Sequence, residues 1–228
     1  MTLVQTTPKK IYMWVEEQTP YTPTSDTVYY FPFTSNADDY SGNWYTLSNT
    51  WTATTIWRNF TATVDTSPAG STISNPAFRM AWVKVNNVWY ESRKVNSMGM
   101  NVSDWLAIHF MNGWVGSSQP IQINFDYVNW SSYSSSSWQP WITTWNWYCI
   151  AFQNEWTDTV AYCNWVRHVM ASWKTGYYWW APSYLSRESS ASSWFSVDLS
   201  EIIMESATWT STKVIDYFNA TKSKYWVS

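Results

Sequence analysis

The sequence predicts an all-β chain, a two-sheet antiparallel β-sandwich with one short C-terminal helix. Three observations carry that expectation. Apolar and polar residues alternate with a period of two through most of the chain, clusters of turn-forming residues separate the alternating runs, and helical periodicity occurs once, near the end. At 228 residues the chain fits a single sandwich core, and no internal repeat divides it.

In chain order, the first strand candidate is TVYYFPF at 27–33, followed by AFRMAWVKV at 77–85 and WYESRKV at 89–95. In DWLAIHF, Leu106, Ile108 and Phe110 point one way and Trp105, Ala107 and His109 the other. IQINFDYV is the clearest half-buried strand, with Ile121, Ile123, Phe125 and Tyr127 on one face and Gln122, Asn124 and Asp126 on the opposite one. WYCIAFQ (147–153), DTVAYCN (158–164), RHVMA (167–171) and FSVDLSEIIM (195–204) complete the strands. The low-complexity segments NWSSYSSSSWQP (129–140) and SRESSASS (186–193) read as long loops. The helix falls on TSTKVIDYF, where Thr210 or Ser211 serves as N-cap and Val214, Ile215 and Phe218 form the apolar stripe.

Charged residues make up 13% of the chain and the net charge is −3, so nothing basic points to nucleic acid or to an anionic membrane surface. No apolar run reaches the length of a membrane span, and the N-terminal residues lack a secretory signal, so no export address is expected. Cys149 and Cys163 fall on the two arms of one predicted hairpin. A cross-strand disulfide and two separate, partly buried thiols both fit that placement.

Composition carries an anomaly: 21 tryptophans against 6 glycines. Glycine averages about 7% in ordinary proteins, and a turn-rich β chain needs at least that share. Many of the tryptophans sit in turn-like company, as Trp44 does after Ser-Gly-Asn. Trp82, Trp105, Trp141 and Trp147 instead occupy apolar strand contexts.

The phrase YYFPFTSNADDYSGNW (29–44) resembles the opening of a LamG-like domain of the concanavalin A-like lectin/glucanase superfamily. AWVKV (81–85) resembles that family's first core strand, and NWYCIAFQNEWTDTVAYCNWV (146–166) its signature hairpin. VDLSEIIMESATWTSTKVIDYF (197–218) resembles its closing strand and helix. The resemblance implies a jelly roll over residues 25–228, preceded at 1–24 by a leader strand and Pro-rich linker. The leader phrase KKIYMWVEEQTPYTP resembles those found ahead of such domains in phage virion and tail-associated proteins.

At Trp44, Trp156 and Trp165 the family pattern has glycine. Seventeen tryptophans, at 14, 44, 51, 57, 89, 114, 130, 138, 145, 156, 165, 173, 179, 180, 194, 209 and 226, read as UGA codons of a genome that decodes UGA as glycine. The count then becomes ordinary: 6 + 17 gives 23 glycines and 21 − 17 gives 4 tryptophans. The competing reading is a chain truly rich in tryptophan, such as an aromatic carbohydrate-binding surface.

The chemistry of hydrolysis is poorly represented. Glycosidases need two carboxylates flanking the scissile bond, yet none of the seven glutamates begins a Glu-x-Asp-x-x-Glu run. Glu201 and Glu205 read as solvent-facing charges, and His168 has no ligand partner at metal spacing. The expectation is a non-enzymatic module that binds a glycan or cell-surface polysaccharide, placed in a virion and assembling with virion partners or as a homo-oligomer. A bacterial surface adhesin is the competing setting, and a glycoside hydrolase the third. Sugar sites combine aromatic faces with planar amides and carboxylates, which selects Trp105, His109, Gln122, Asn124 and Asp126 as ligand-binding candidates. Asp38 and Asp39 read either as turn formers or as ligands of a Ca²⁺ ion of the kind several family members carry. Four N-x-S/T matches, at Asn59, Asn101, Asn129 and Asn219, are what a chain rich in Ser and Thr produces by composition.

Overall fold

Alternation becomes strand in the described segments where the sequence shows it; of WYESRKV (89–95) only Val95, and of DWLAIHF only residues 108–110, lie within the described residues. The computed structural model describes residues 21–33, 38–44, 52–53, 58–61, 78–88, 95–96, 108–111, 121–129, 132–155, 158–172, 187–188 and 195–227. The strands are β1 (Thr27–Phe31), β2 (Thr52–Ala53), β3 (Arg58–Thr61), β4 (Phe78–Val88), β5 (Val95–Asn96), β6 (Ile108–Met111) and β7 (Ile121–Asn129). They continue with β8 (Ser132–Ile142), β9 (Trp147–Glu155), β10 (Asp158–Cys163), β11 (Val166–Ala171), β12 (Arg187–Glu188) and β13 (Phe195–Glu205). Helix α1 (Ser211–Thr221) runs into a 3-10 turn, Lys222–Tyr225.

Two antiparallel sheets result. The larger has the order β11-β10-β9-β4-β13-β3-β2, with β1 pairing the second half of β13 beyond β3. The smaller has the order β12-β5-β6-β7-β8. One face of the large sheet presents Phe78, Met80, Trp82, Trp147, Ala151, Tyr162 and Ile203 to the helical segment, where Val214, Tyr217, Phe218 and Tyr225 close over them. The opposite face is equally dry: Val83, Val85, Ile150, Phe152, Ala161, Leu199, Ile202 and Met204 are all buried. A sheet dry on both sides needs a second cover, the arrangement of a β-sandwich. Trp138 of β8 stacks on His168 of β11 at 4.9 Å, which brings the two sheets into contact. His168 is thus half-buried against an indole, and burial lowers its pKa.

Thr210 is the helix N-cap, its hydroxyl accepting from the Lys213 N–H at 3.1 Å. Val214 and Phe218 are buried as the stripe requires, joined by Tyr217 and with Ile215 only half-covered.

Several expectations need correction. The serine-rich segment is a strand, not a loop: β8 pairs with β7 from Asn129↔Ser132 up to Ile121↔Ile142. Serine is no strand former by propensity, but a neighbouring strand with open backbone groups overrides so weak a preference. Arg187–Glu188, inside the second predicted loop, pairs with β5. Strands β2 and β3 were not anticipated because neither segment alternates.

Glu201 and Glu205 are buried at 0% and 2% exposure, not solvent-facing. β13 is covered on both faces, so its side chains are buried either way, and a bulge decides which layer Glu201 enters. Ser200 pairs with Trp82 and Ile203 with Met80, so Glu201 and Ile202 together stand against Ala81. Glu201 takes φ 48° there. The extra residue turns Ser200 and Glu201 both toward the helical segment, while Leu199, Ile202 and Met204 keep to the sandwich interior. Glu201 accepts from the Tyr217 hydroxyl and pairs with Lys224. Glu205 accepts from the Tyr21 hydroxyl at 2.6 Å and from the Trp209 indole, with Lys213 at 3.6 Å. Tyr21, from the segment read as linker, therefore packs in the core.

Two tryptophans change places. Trp209, grouped with the turn-like set, is 3% exposed and stacks on Phe78 at 4.2 Å. Trp141, read as a strand residue, is exposed and takes φ 58° within the irregularity that ends the β7–β8 pairing. Trp44, Trp145 and Trp226 also take left-handed φ values, of 59°, 70° and 55°, and are 88%, 70% and 76% exposed. Trp165 stands exposed in the two-residue turn between β10 and β11.

Candidate functional site

Three chain reversals meet at one end of the large sheet. The first is the turn from β8 to β9. Its Trp145 N–H donates to the Val85 carbonyl at 2.8 Å, which fixes the turn to β4. Within the same turn the Asn146 amide donates to Thr143 Oγ1 at 2.7 Å, and the Tyr148 hydroxyl accepts from the Thr143 N–H at 3.0 Å. These local bonds, one side chain to side chain and one backbone to side chain, give a turn without glycine a defined shape.

The second reversal is Asn164-Trp165, between β10 and β11. Asn164 takes φ 57°, a conformation Asn tolerates better than other non-glycine residues. Its backbone N–H donates to the Cys149 carbonyl at 2.7 Å and its Oδ1 accepts from the Cys149 N–H at 3.0 Å. With Oδ1 committed to β9, the side-chain NH₂ is the donor that Asn164 retains.

The third is the C-terminal tail. Trp226 ends the 3-10 turn in the left-handed region, and the Val227 N–H donates to the Lys222 carbonyl at 3.1 Å. Tyr225 points inward, donating to Ser200 Oγ at 2.8 Å and packing on Trp82 and Trp147. Burial pushes the Tyr225 phenol pKa well up, with the Glu201 carboxylate adding to the shift.

Between these reversals lies a cavity of about 330 Å³. Trp145 and Trp226 flank it; Asn146, Tyr148 and Asn164 supply amide and hydroxyl groups; Trp147 lines its inner part. Lys84 contributes the charged group, its ammonium 5.2 Å from the Trp147 ring centroid and 2.7 Å from Asp198 Oδ2. Asp198 is itself buried, and its other oxygen accepts from the Asn86 amide at 2.8 Å. Amides, a phenol and aromatic faces around a cavity this size form a set that can grip vicinal hydroxyls while stacking on a sugar ring.

No family model matches the sequence, and no curated protein matches it. Solved structures do. The binding domain of botulinum neurotoxin DC, in complex with SialylT, superposes with TM-score 0.63 at 9% identity over 86% of this chain and 52% of that one. Trypanosoma rangeli sialidase in complex with sialic acid gives TM-score 0.64 at 10% identity over 88% of this chain and 34% of that one. The binding domain of Paraclostridial Mosquitocidal Protein 1 gives TM-score 0.59 at 13% identity, covering 86% of this chain and 52% of that one. The likeness is one of fold, an antiparallel β-sandwich. This chain spans about half the length of the binding domains it matches and about a third of the sialidase.

The residues selected from sequence fall elsewhere. β6 and β7 are neighbours in the small sheet, and His109 stands directly opposite Asn124, with Met111 opposite Gln122. Asp126 pairs with Ser135 of β8. The backbone thus brings His109, Gln122, Asn124 and Asp126 to adjoining register positions, while Trp105 lies outside the described residues. Asp39 works as a turn former: Oδ1 accepts from the N–H groups of Tyr30 and Ser41 at 3.0 and 2.9 Å, and Oδ2 from the Ser41 hydroxyl at 2.7 Å. Asp38 beside it is exposed. Among the described residues no group of three or more His, Cys, Asp or Glu side chains is placed to hold a metal ion.

Sequence reasoning missed the cavity because its residues come from four separate segments. One signal was present: Trp145 and Trp165 are both among the tryptophans read as glycine, and the turns that hold them contribute Trp145 and Asn164 to the lining.

Proposed function

We propose that this chain is a non-enzymatic glycan-binding module whose sugar site is the cavity between the Thr143–Asn146 turn, Asn164 and the C-terminal tail. The convergence of Asn146, Tyr148 and Asn164 on one cavity beside an aromatic wall carries this reading. Support comes from the fold, which this chain shares with a neurotoxin binding domain solved with SialylT and with a sialidase solved with sialic acid. Glu201 and Glu205 are engaged in the layer under the helix: both are buried, Glu201 accepting from Tyr217 of the helix and Glu205 from Tyr21 and Trp209. The register positions of His109, Gln122, Asn124 and Asp126 on the small sheet are a second candidate place for a ligand, and Trp105 of the same sequence-based set lies outside the described residues. Saturation-transfer NMR with a mixture of simple glycosides tests the proposal: the parent chain transfers magnetisation to sugar ring protons, and Tyr148→Phe weakens the transfer. Undiminished transfer in Tyr148→Phe, or none in the parent, contradicts it.

The finer setting we propose is a phage virion or tail-associated protein encoded with UGA as glycine. Trp44, Trp145 and Trp226 support the decoding, because each occupies a left-handed position and projects into solvent. Trp209 is withdrawn from the set on its burial, and Trp141 joins it on its φ, which leaves the count at 17 − 1 + 1 = 17. The polar lining of the cavity does not depend on the decoding. Glycine at 145 and 226 opens the cavity into a groove but keeps Lys84, Asn146, Tyr148 and Asn164. The coding DNA and the intact mass of the natural protein decide the point, and UGG codons at these positions exclude it.

A further inference from the structure

Resting on the glycan-binding reading of this cavity, we infer that its ligand is a neutral sugar and that the Lys84–Asp198 pair sets this preference by excluding acidic ones. Among the described residues that line the cavity Lys84 is the charged one, and its ammonium lies 2.7 Å from Asp198 Oδ2. Asp198 is 4% exposed and held from its other side by the Asn86 amide, so it does not move away to free the lysine. The two strands fix the pair directly, since Asp198 stands opposite Lys84 in the β4–β13 register. A sialic acid carboxylate entering here meets a cation already neutralised and, immediately behind it, a buried anion. Like charges brought together in a partly desolvated site repel strongly, which is how binding surfaces reject a wrong partner. A neutral hexose meets no such penalty. Its hydroxyls find the Asn146 and Asn164 amides and the Tyr148 phenol.

The test compares lactose, methyl mannoside and sialyllactose by isothermal titration and saturation-transfer NMR on the parent chain and on Asp198→Asn. The parent is expected to favour a neutral probe by roughly tenfold or more over sialyllactose. Asp198→Asn, which removes the anion beside Lys84, is expected to narrow or reverse that ratio, with near-ultraviolet circular dichroism confirming that the variant is folded. Tighter binding of sialyllactose than of lactose by the parent overturns the inference while leaving glycan binding intact. Binding of none of the three probes, extended to a full glycan array, removes the underlying reading and the inference with it. Should Asp198→Asn fail to fold, the parent's own ratio decides.

Discussion

The carboxylate of Glu201 accepts a hydrogen bond from the hydroxyl of Tyr217, 16 residues further along the chain, inside the dry layer between sheet and helix. The same carboxylate pairs with Lys224 of the 3-10 turn. One side chain on a strand bulge therefore holds both parts of the C-terminal helical segment, and through them the tail that walls the cavity. Buried ion pairs add little net stability when formed, but removing one partner strands the other charge. Glu201→Ala is expected to cost about 3–5 kcal/mol in urea unfolding. A loss below about 1 kcal/mol shows that Lys224 reaches solvent and that the clasp is dispensable.

Three tyrosines make the fold sensitive to alkali. Burial is the main cause that raises the pKa of Tyr21, Tyr217 and Tyr225 above the ordinary phenol value, and nearby Glu205 or Glu201 adds to it. Each is neutral in the folded chain at a pH where the unfolded chain ionises. Their stabilisation is therefore fully present below about pH 10 and is lost above it, at about 1.4 kcal/mol per pH unit for each group. Urea midpoints measured from pH 8 to 11 should fall steeply past pH 10, and Tyr217→Phe should flatten the fall. A midpoint independent of pH through that range contradicts the burial of these phenols.

Cys149 and Cys163 stay apart because strand parity separates them. Cys163 stands opposite Ile150, so Cys149 is one residue out of step and projects from the other face of the sheet. Both are free and buried. Burial pushes the Cys163 thiol up to about 12 and raises Cys149 as well, so neither is a competent thiolate nucleophile near neutral pH. A thiol reagent at pH 8 should find no reactive group in the native chain and two after unfolding in denaturant. One disulfide recovered from freshly folded protein contradicts the assignment.

The tryptophans divide by backbone angle, and mutation should sort them. Replacing Trp44, Trp145 or Trp226 by glycine relieves a left-handed residue and is expected to stabilise by about 1 kcal/mol each. Trp209→Gly instead empties a stacked core position and is expected to cost about 3–5 kcal/mol or more. Thermal melts of the four single variants check the division, and equal destabilisation by all four refutes it.

Much of this was legible beforehand. Period-two alternation located β4, β7, β9, β10 and β13, because side-chain periodicity follows directly from which face is dry, and the pair Thr210-Ser211 announced the helix start, with Thr210 the cap. The failures have a shared cause: non-local pairing. Ser132–Ile142 becomes a strand only because β7 lies beside it, and the layer that Glu201 enters depends on a bulge set by the register against β4. The indole of Trp209 gave no sign that a glutamate four residues earlier would accept its N–H. The cavity lies further still from sequence, since Lys84, Asn146, Asn164 and Trp226 meet only after the large sheet and the helical segment have assembled.

The central claim is that the cavity bounded by Asn146, Tyr148 and Asn164 holds a glycan. A glycan array probed with the parent chain and with the double variant Tyr148→Phe/Asn164→Asp tests it most directly, because Asp at 164 keeps the acceptor for the Cys149 N–H and removes the side-chain amide donor. The expected result is a defined set of glycans bound by the parent and a loss of roughly tenfold or more in the variant. An array on which folded parent and folded variant give the same pattern contradicts the claim.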